Sequence, residues 1–80
     1  MNASIYANFG DIISKMSSQK FVVRIYRGEL EDMVFVTPNV SRVKEIISEI
    51  FREENPKIYL RENVLELKSE HIKALVEILR

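Results

Sequence analysis

The fold predicted for this chain depends on how the segment “IKALVEIL”, residues 72–79 of 80, is interpreted. Four of its apolar residues recur at the spacing of one helix face: Ile72, Leu75, Val76 and Leu79. Lys73 and Glu77 make an i,i+4 pair on the opposite side, and Ser69 stands where an N-cap residue is expected. The pattern therefore predicts a last helix within residues 69–80.

The segment “VKEIISEI”, residues 43–50, is similar to “IKALVEIL” and predicts a middle helix. Its apolar stripe extends beyond the segment on both sides: Val40, Val43, Ile46, Ile47, Ile50 and Phe51. Thr37 followed by Pro38 is a helix-start signal, because a hydroxyl can cap the first turn and proline is tolerated there. We expect the helix to stop before Pro56, with Asn55 as its terminator.

A pair of strands precedes the middle helix. Two runs of β-branched and aromatic residues, 21–26 and 33–37, enclose a polar loop that contains Gly28. This arrangement predicts a β-hairpin. Both faces of its first strand carry apolar residues, so the sequence predicts a core face and a second face that is unusually apolar for contact with water.

A second, shorter hairpin is predicted around a two-residue turn at Glu62 and Asn63. The turn places two apolar pairs opposite each other: Leu60 with Leu65, and Ile58 with Leu67. It leaves five residues on the other side: Lys57, Tyr59, Arg61, Val64 and Glu66. The hydrophobic pattern and the turn therefore indicate the same register.

With a first helix over roughly residues 4–18, these elements predict an α+β fold in the order α-ββα-ββα, a four-stranded antiparallel sheet packed with three helices. The two hairpins share the motifs “RIYR” (24–27) and “KIYLR” (57–61), which suggests an internal ββα duplication. We expect a single domain over residues 1–80, composed of a helix at 4–18, a first ββα unit at 20–54 and a second at 57–80.

Composition narrows the class of protein. Twelve basic and twelve acidic residues cancel, there is no cysteine, and no export signal or run of about 18 apolar residues occurs. We therefore expect a soluble, intracellular, cytoplasmic protein without disulfides. Abundant Ile, Glu and Lys with a single Gln are typical of thermophilic proteins. A domain this small buries a limited core, which favours oligomerisation as a source of stability.

The chain carries few residues suited to chemistry. His71 is the only histidine, and the sequence shows no phosphate-binding glycine loop and no nucleophile–base pair. Glu29, Glu31 and Asp32 lie close together in “GELED” but lack the ligand spacing of a calcium loop. We expect a non-catalytic protein that needs no cofactor and no metal.

The first functional hypothesis is a protein–protein interaction or assembly module, whose expected partners are a second copy or a larger assembly. One candidate interface is the apolar sheet face: Val22, Tyr26, Tyr59 and Val64, with Val34 or Phe35. The other is the wide apolar stripe of the last helix: His71, Ala74 and Ile78.

The alternative hypothesis is a small nucleic-acid-binding protein. If the strands form one sheet with a single open face, five basic and aromatic residues could share that face: Arg24, Tyr26, Lys57, Tyr59 and Arg61. Tyrosines among basic residues suit single-stranded nucleic acid, whose bases stack on rings while cations contact phosphates. Because the net charge is zero, such a protein would need its basic groups concentrated on one face by the fold.

Overall fold

A computed structural model describes residues 12–13 and 20–79. One helix and five strands have their bounds within these residues. In chain order they are β1 Lys20–Arg27, β2 Leu30–Thr37, α1 Val40–Ile50, β3 Lys57–Arg61, β4 Val64–Lys68 and β5 Ile72–Leu79.

The five strands form one sheet in the order β2-β1-β5-β4-β3, and every neighbouring pair is antiparallel. β5 is the central strand, so the two hairpins are joined through it, and β2 and β3 are the two edges. Alternate residues of each strand point to opposite faces of the sheet. On one face α1 packs against β1 and β2, and Ile13 is buried in the same core.

The predicted fold was wrong in its sheet and in its last helix: the sheet has five strands, and “IKALVEIL” is strand β5. The segment is apolar enough to satisfy both periodicities, because its alternate residues Ile72, Ala74, Val76 and Ile78 also form an unbroken apolar face. As a strand it pairs with both β1 and β4, whose backbone groups would otherwise lie at open edges. This pairing overrides the helical spacing.

The predicted order α-ββα-ββα is therefore replaced. Residues 20–54 do contain two strands followed by a helix, whereas residues 57–79 contain three strands. The matching “IY” stretches consequently do not mark two equivalent ββα units. The predicted first helix at 4–18 lies mostly outside the described residues, within which Ile12 and Ile13 have helical backbone.

Both predicted hairpins are confirmed. In the second, Leu60 pairs with Leu65 and Ile58 with Leu67, around the turn at Glu62 and Asn63. Glu62 has φ 49°, the left-handed conformation that a two-residue hairpin turn requires. In the first hairpin a β-bulge interrupts the register next to Ile25 and Tyr26, so that Tyr26 lies opposite Glu31.

The middle helix is confirmed, but it starts later and ends earlier than predicted: its last residue is Ile50 and its C-cap is Phe51, not Asn55. Asn39, not Thr37, is its N-cap residue: the Asn39 side-chain oxygen accepts hydrogen bonds from the backbone N–H groups of Ser41 and Arg42. The Thr37 hydroxyl oxygen accepts a hydrogen bond from the backbone N–H of Asn39 at 3.1 Å, so Thr37 supports the cap instead of forming it. Val43 and Ile47 are the buried residues of the helix, and Phe51 follows them into the core.

Candidate functional site: the open face and edges of the sheet

The sheet face opposite the core carries residues that form rows across the strands. The first row contains Val36, Val22, Glu77, Val64 and Arg61. The second contains Val34, Arg24, Leu75, Glu66 and Tyr59. The third contains Glu31, Tyr26, Lys73, Lys68 and Lys57. We call this surface the open face, because none of the described helical residues packs on it.

The structure places most of the predicted site residues on this open face. Both sequence hypotheses drew on it: Val22, Tyr26, Tyr59 and Val64 for an interface, and Arg24, Tyr26, Lys57, Tyr59 and Arg61 for nucleic acid. Val34 also lies there, whereas Phe35 points to the core side. The side chains are exposed or half-buried.

The second predicted interface does not exist as a surface. It assumed a last helix, and in strand β5 Ala74 and Ile78 point into the core. His71 is exposed in the turn before β5, where its Nε2 lies 3.6 Å from a carboxylate oxygen of the adjacent Glu70. Two of the three residues are therefore inaccessible to a partner.

The fold concentrates positive charge on the open face. The described residues include ten basic and eleven acidic ones; six basic and three acidic lie on this face, which leaves four basic and eight acidic in the rest of the described part of the chain. The basic ones are Lys20, Arg24, Lys57, Arg61, Lys68 and Lys73. The acidic ones are Glu31, Glu66 and Glu77. A neutral chain thus presents one face with a positive excess.

Three lysines of this face lie directly opposite one another. Lys57 of β3 pairs in register with Lys68 of β4, and Lys68 pairs with Lys73 of β5. We call these three residues the lysine row. Like charges in directly opposite positions destabilise a sheet. Among the described residues, no carboxylate lies within ion-pair distance of any of the three ammonium groups.

Tyr26 stands at the end of the lysine row and is already engaged. Its hydroxyl donates a hydrogen bond to a Glu31 carboxylate oxygen at 3.1 Å, and the Lys73 ammonium lies 4.9 Å from its ring centroid. Arg24 also contacts Glu31, at 3.5 Å. The hydrogen bond to Glu31, followed by burial and the carboxylate charge, raises the pKa of Tyr26.

Tyr59 at the β3 edge has a more open environment. It is 47% exposed and is shared by two open depressions, each of about 360 Å³. The first is lined by Lys57 and Lys68 with Glu70, and the second by Arg61 with Glu62 and Glu66. The ring therefore stands between a depression with a basic excess and a second depression in which acidic residues outnumber the one basic residue.

The opposite edge, β2, is apolar. Four of the six exposed large apolar residues found among the described residues lie on it: Leu30, Met33, Val34 and Val36. Val36, at 58%, is among the most exposed of them. The sequence pattern does not distinguish Val36, because its exposure follows from β2 having a strand partner on one side only.

The acidic loop does not form a metal site in the described part of the chain. Glu31 contacts Tyr26 and Arg24, and an Asp32 carboxylate oxygen accepts a hydrogen bond from the Arg27 Nε at 3.0 Å. No group of three or more metal-ligating side chains comes together within residues 12–13 and 20–79. The loop carboxylates instead connect β2 to β1.

Comparison of the chain with protein-family models, curated proteins and solved structures finds no match. In the part of the chain that the structure describes, no helix is long and apolar enough to cross a membrane. The function has to be inferred from the open face and the two edges.

Proposed function

We propose that the protein is a non-catalytic assembly module that self-associates by pairing β2 with β2 of a second copy. The two strands would run antiparallel across a two-fold axis, which joins two five-stranded sheets into one. The observation that carries this proposal is the accumulation of exposed apolar residues on one edge strand, β2.

An eight-residue edge strand directs unpaired backbone N–H and C=O groups outward, and natural proteins protect such edges with charges, proline or short length. β2 has that protection only at its beginning. Glu31 and Asp32 lie there beside the bulge, whereas residues 33–37, “MVFVT”, carry no charge. The uncharged half is the part that can pair with another strand.

The pattern of β2 suits a second copy of itself. An antiparallel pair centred on Phe35 would place Val34 opposite Val36 of the partner, and Met33 opposite Thr37. The same register keeps Glu31 and Asp32 away from their symmetry mates, because they would extend past the paired stretch. On the open face, Val22 lies beside Val36 and would continue the apolar strip.

The contact is small, since one strand pair buries less than the roughly 800 Å² per partner of a standard interface. We therefore expect a dissociation constant in the micromolar range, equivalent to about 8 kcal/mol or less of binding free energy. The association should depend weakly on salt, because the paired stretch is uncharged.

Light scattering over a concentration series from about 1 μM to about 1 mM brackets this affinity. We expect the mass to rise from 9.4 kDa toward twice that value. Val36→Lys should keep the protein monomeric throughout, because a charge on an edge strand blocks pairing. Leu60→Lys is the matched control: Leu60 is 48% exposed on the other edge strand, and its substitution should leave the dimer intact.

Circular dichroism is the control for folding: both variants should give the spectrum of the wild-type chain. The proposal fails if the wild-type chain stays at 9.4 kDa up to the highest concentration, or if Leu60→Lys dissociates the dimer and Val36→Lys does not.

A further inference from the structure

We infer that the lysine row and Tyr59 form a binding site for single-stranded nucleic acid. The site lies on the open face of β3, β4 and β5, toward the edge of the sheet that is opposite β2. The inference does not depend on self-association. It differs from the residue set expected from sequence alone, which included Arg24 and Tyr26 and omitted Lys68 and Lys73.

The lysine row destabilises the sheet, and the only compensating contact that it makes among the described residues is that of Lys73 with the Tyr26 ring. Three ammonium groups in directly opposite positions repel one another, and no described carboxylate neutralises them. Glu66 lies on β4 between the neighbouring strands, yet it forms no ion pair with Lys57 or Arg61. A polyanion placed along the row would remove the repulsion and release counterions.

Tyr59 indicates which kind of polyanion the site accepts. On one side its half-exposed ring lies beside Lys57 and Lys68, at a depression with a basic excess. On the other side Arg61 lines a second depression together with Glu62 and Glu66. Lys57 and Arg61 are four residues apart on one strand, a span of about 13 Å. A base that stacks on the ring while adjacent phosphates contact Lys57 and Lys68 would use the ring and the first depression together.

The nucleic acid must be single-stranded, because stacking on a protein ring needs bases that are not already stacked within a duplex. An acidic polypeptide could use the lysine row but has no comparable use for Tyr59. Tyr26 contributes less, because the Lys73 ammonium lies over its ring and Glu31 holds its hydroxyl. Arg24 is likewise engaged with Glu31.

Fluorescence anisotropy with a labelled single-stranded oligothymidylate tests the site. The full chain should bind it at low salt, and the logarithm of the association constant should fall with the logarithm of salt concentration. The expected slope is about −2, because each of about three phosphate contacts contributes about 0.7 on single strands.

Two pairs of variants separate the contributions. Lys68→Gln should weaken binding and reduce the slope by about 0.7, whereas Lys44→Gln on α1 makes the same charge change away from the site and should alter neither. Tyr59→Ala should weaken binding about ten-fold or more without changing the slope, and Tyr59→Phe should bind like the wild-type chain.

Three results would overturn the inference. One is an absence of binding at the lowest salt concentration. Another is an equal effect of Lys68→Gln and Lys44→Gln, which would mean unspecific attraction. The third is full binding by Tyr59→Ala together with equal competition from polyglutamate, which would identify an acidic polypeptide as the ligand.

Discussion

The two edges of the sheet have opposite characters. β2 is eight residues long, and its second half is apolar and uncharged, with Val34 and Val36 exposed. β3 is five residues long and has Lys57 and Arg61 at its ends, with Tyr59 between them. Charge and short length are the features that prevent an edge strand from pairing with another sheet.

Because the two edges differ in charge and length, they suit two different kinds of partner. The β2 edge offers backbone hydrogen-bonding groups and apolar side chains, which suit another strand. The β3 side offers cations and an exposed ring, which suit a polyanion. A single five-stranded sheet can therefore hold an assembly edge and a ligand-binding face without overlap between them.

The largest predicted effect distinguishes a buried residue of β1 from an exposed residue of β2. Ile25→Ala, on the buried face of β1, should lower the free energy of unfolding by about 2–5 kcal/mol, because it leaves a cavity in the core. Val34→Ala, on exposed β2, should change it by less than about 0.5 kcal/mol. Urea denaturation at low protein concentration measures both values in the monomer.

The two variants control for each other, since each deletes apolar atoms from adjacent strands of the first hairpin. A large loss of stability in Val34→Ala would mean that this residue serves the monomer fold. Its exposure would then no longer argue for a partner, and the contrast between the edges would weaken.

A smaller effect is expected on the pKa of Tyr26, which contacts the acidic beginning of β2. There the Glu31 side chain binds a residue of β1 and is not available to a partner. The hydrogen bond from Tyr26 to Glu31 stabilises the neutral phenol. Its contribution to folding is therefore complete below the ordinary tyrosine pKa and is lost as the pH rises through the raised value. Glu31→Gln should lower the pKa of Tyr26 in an ultraviolet titration of the phenolate.

Glu29→Gln is the control, because Glu29 lies two residues from Glu31 and, unlike Glu31, does not contribute to the raised pKa of Tyr26. Tyr26→Phe identifies the titration step that belongs to Tyr26. An unchanged step in Glu31→Gln would show that the carboxylate is not the partner of the phenol, and that the acidic end of β2 is available for other contacts.

The sequence predicts local pairing well where a turn and an alternating pattern agree. The register of β3 with β4 follows from the two-residue turn at Glu62 and Asn63 and from the apolar residues on one side. The middle helix follows from its apolar stripe. Its start could not be located as well, because Thr37 and Asn39 are both good capping residues and only the structure distinguishes their roles.

The central strand could not be predicted, because a nearly continuous apolar segment fits both a helix and a strand buried in a sheet. In “IKALVEIL” the choice was made by long-range pairing with β1 and β4. The same error concealed one member of the candidate site, Lys73. The helical pattern places Lys73 on a helix surface, so it does not predict that Lys73 lies opposite Lys68. The exposed edge of β2 depends on the strand order, which the sequence pattern does not predict either.

Hydrogen–deuterium exchange at low and high protein concentration tests the central claim most directly. If β2 pairs with itself, the backbone amides within residues 33–37 that point away from β1 should exchange more slowly as the concentration rises, because they gain hydrogen-bond partners. The amides of β3, Lys57–Arg61, should exchange at the same rate in both samples. Concentration-dependent protection of β3, or a dimer whose β2 amides remain unprotected, would contradict the assignment of β2 as the self-association edge.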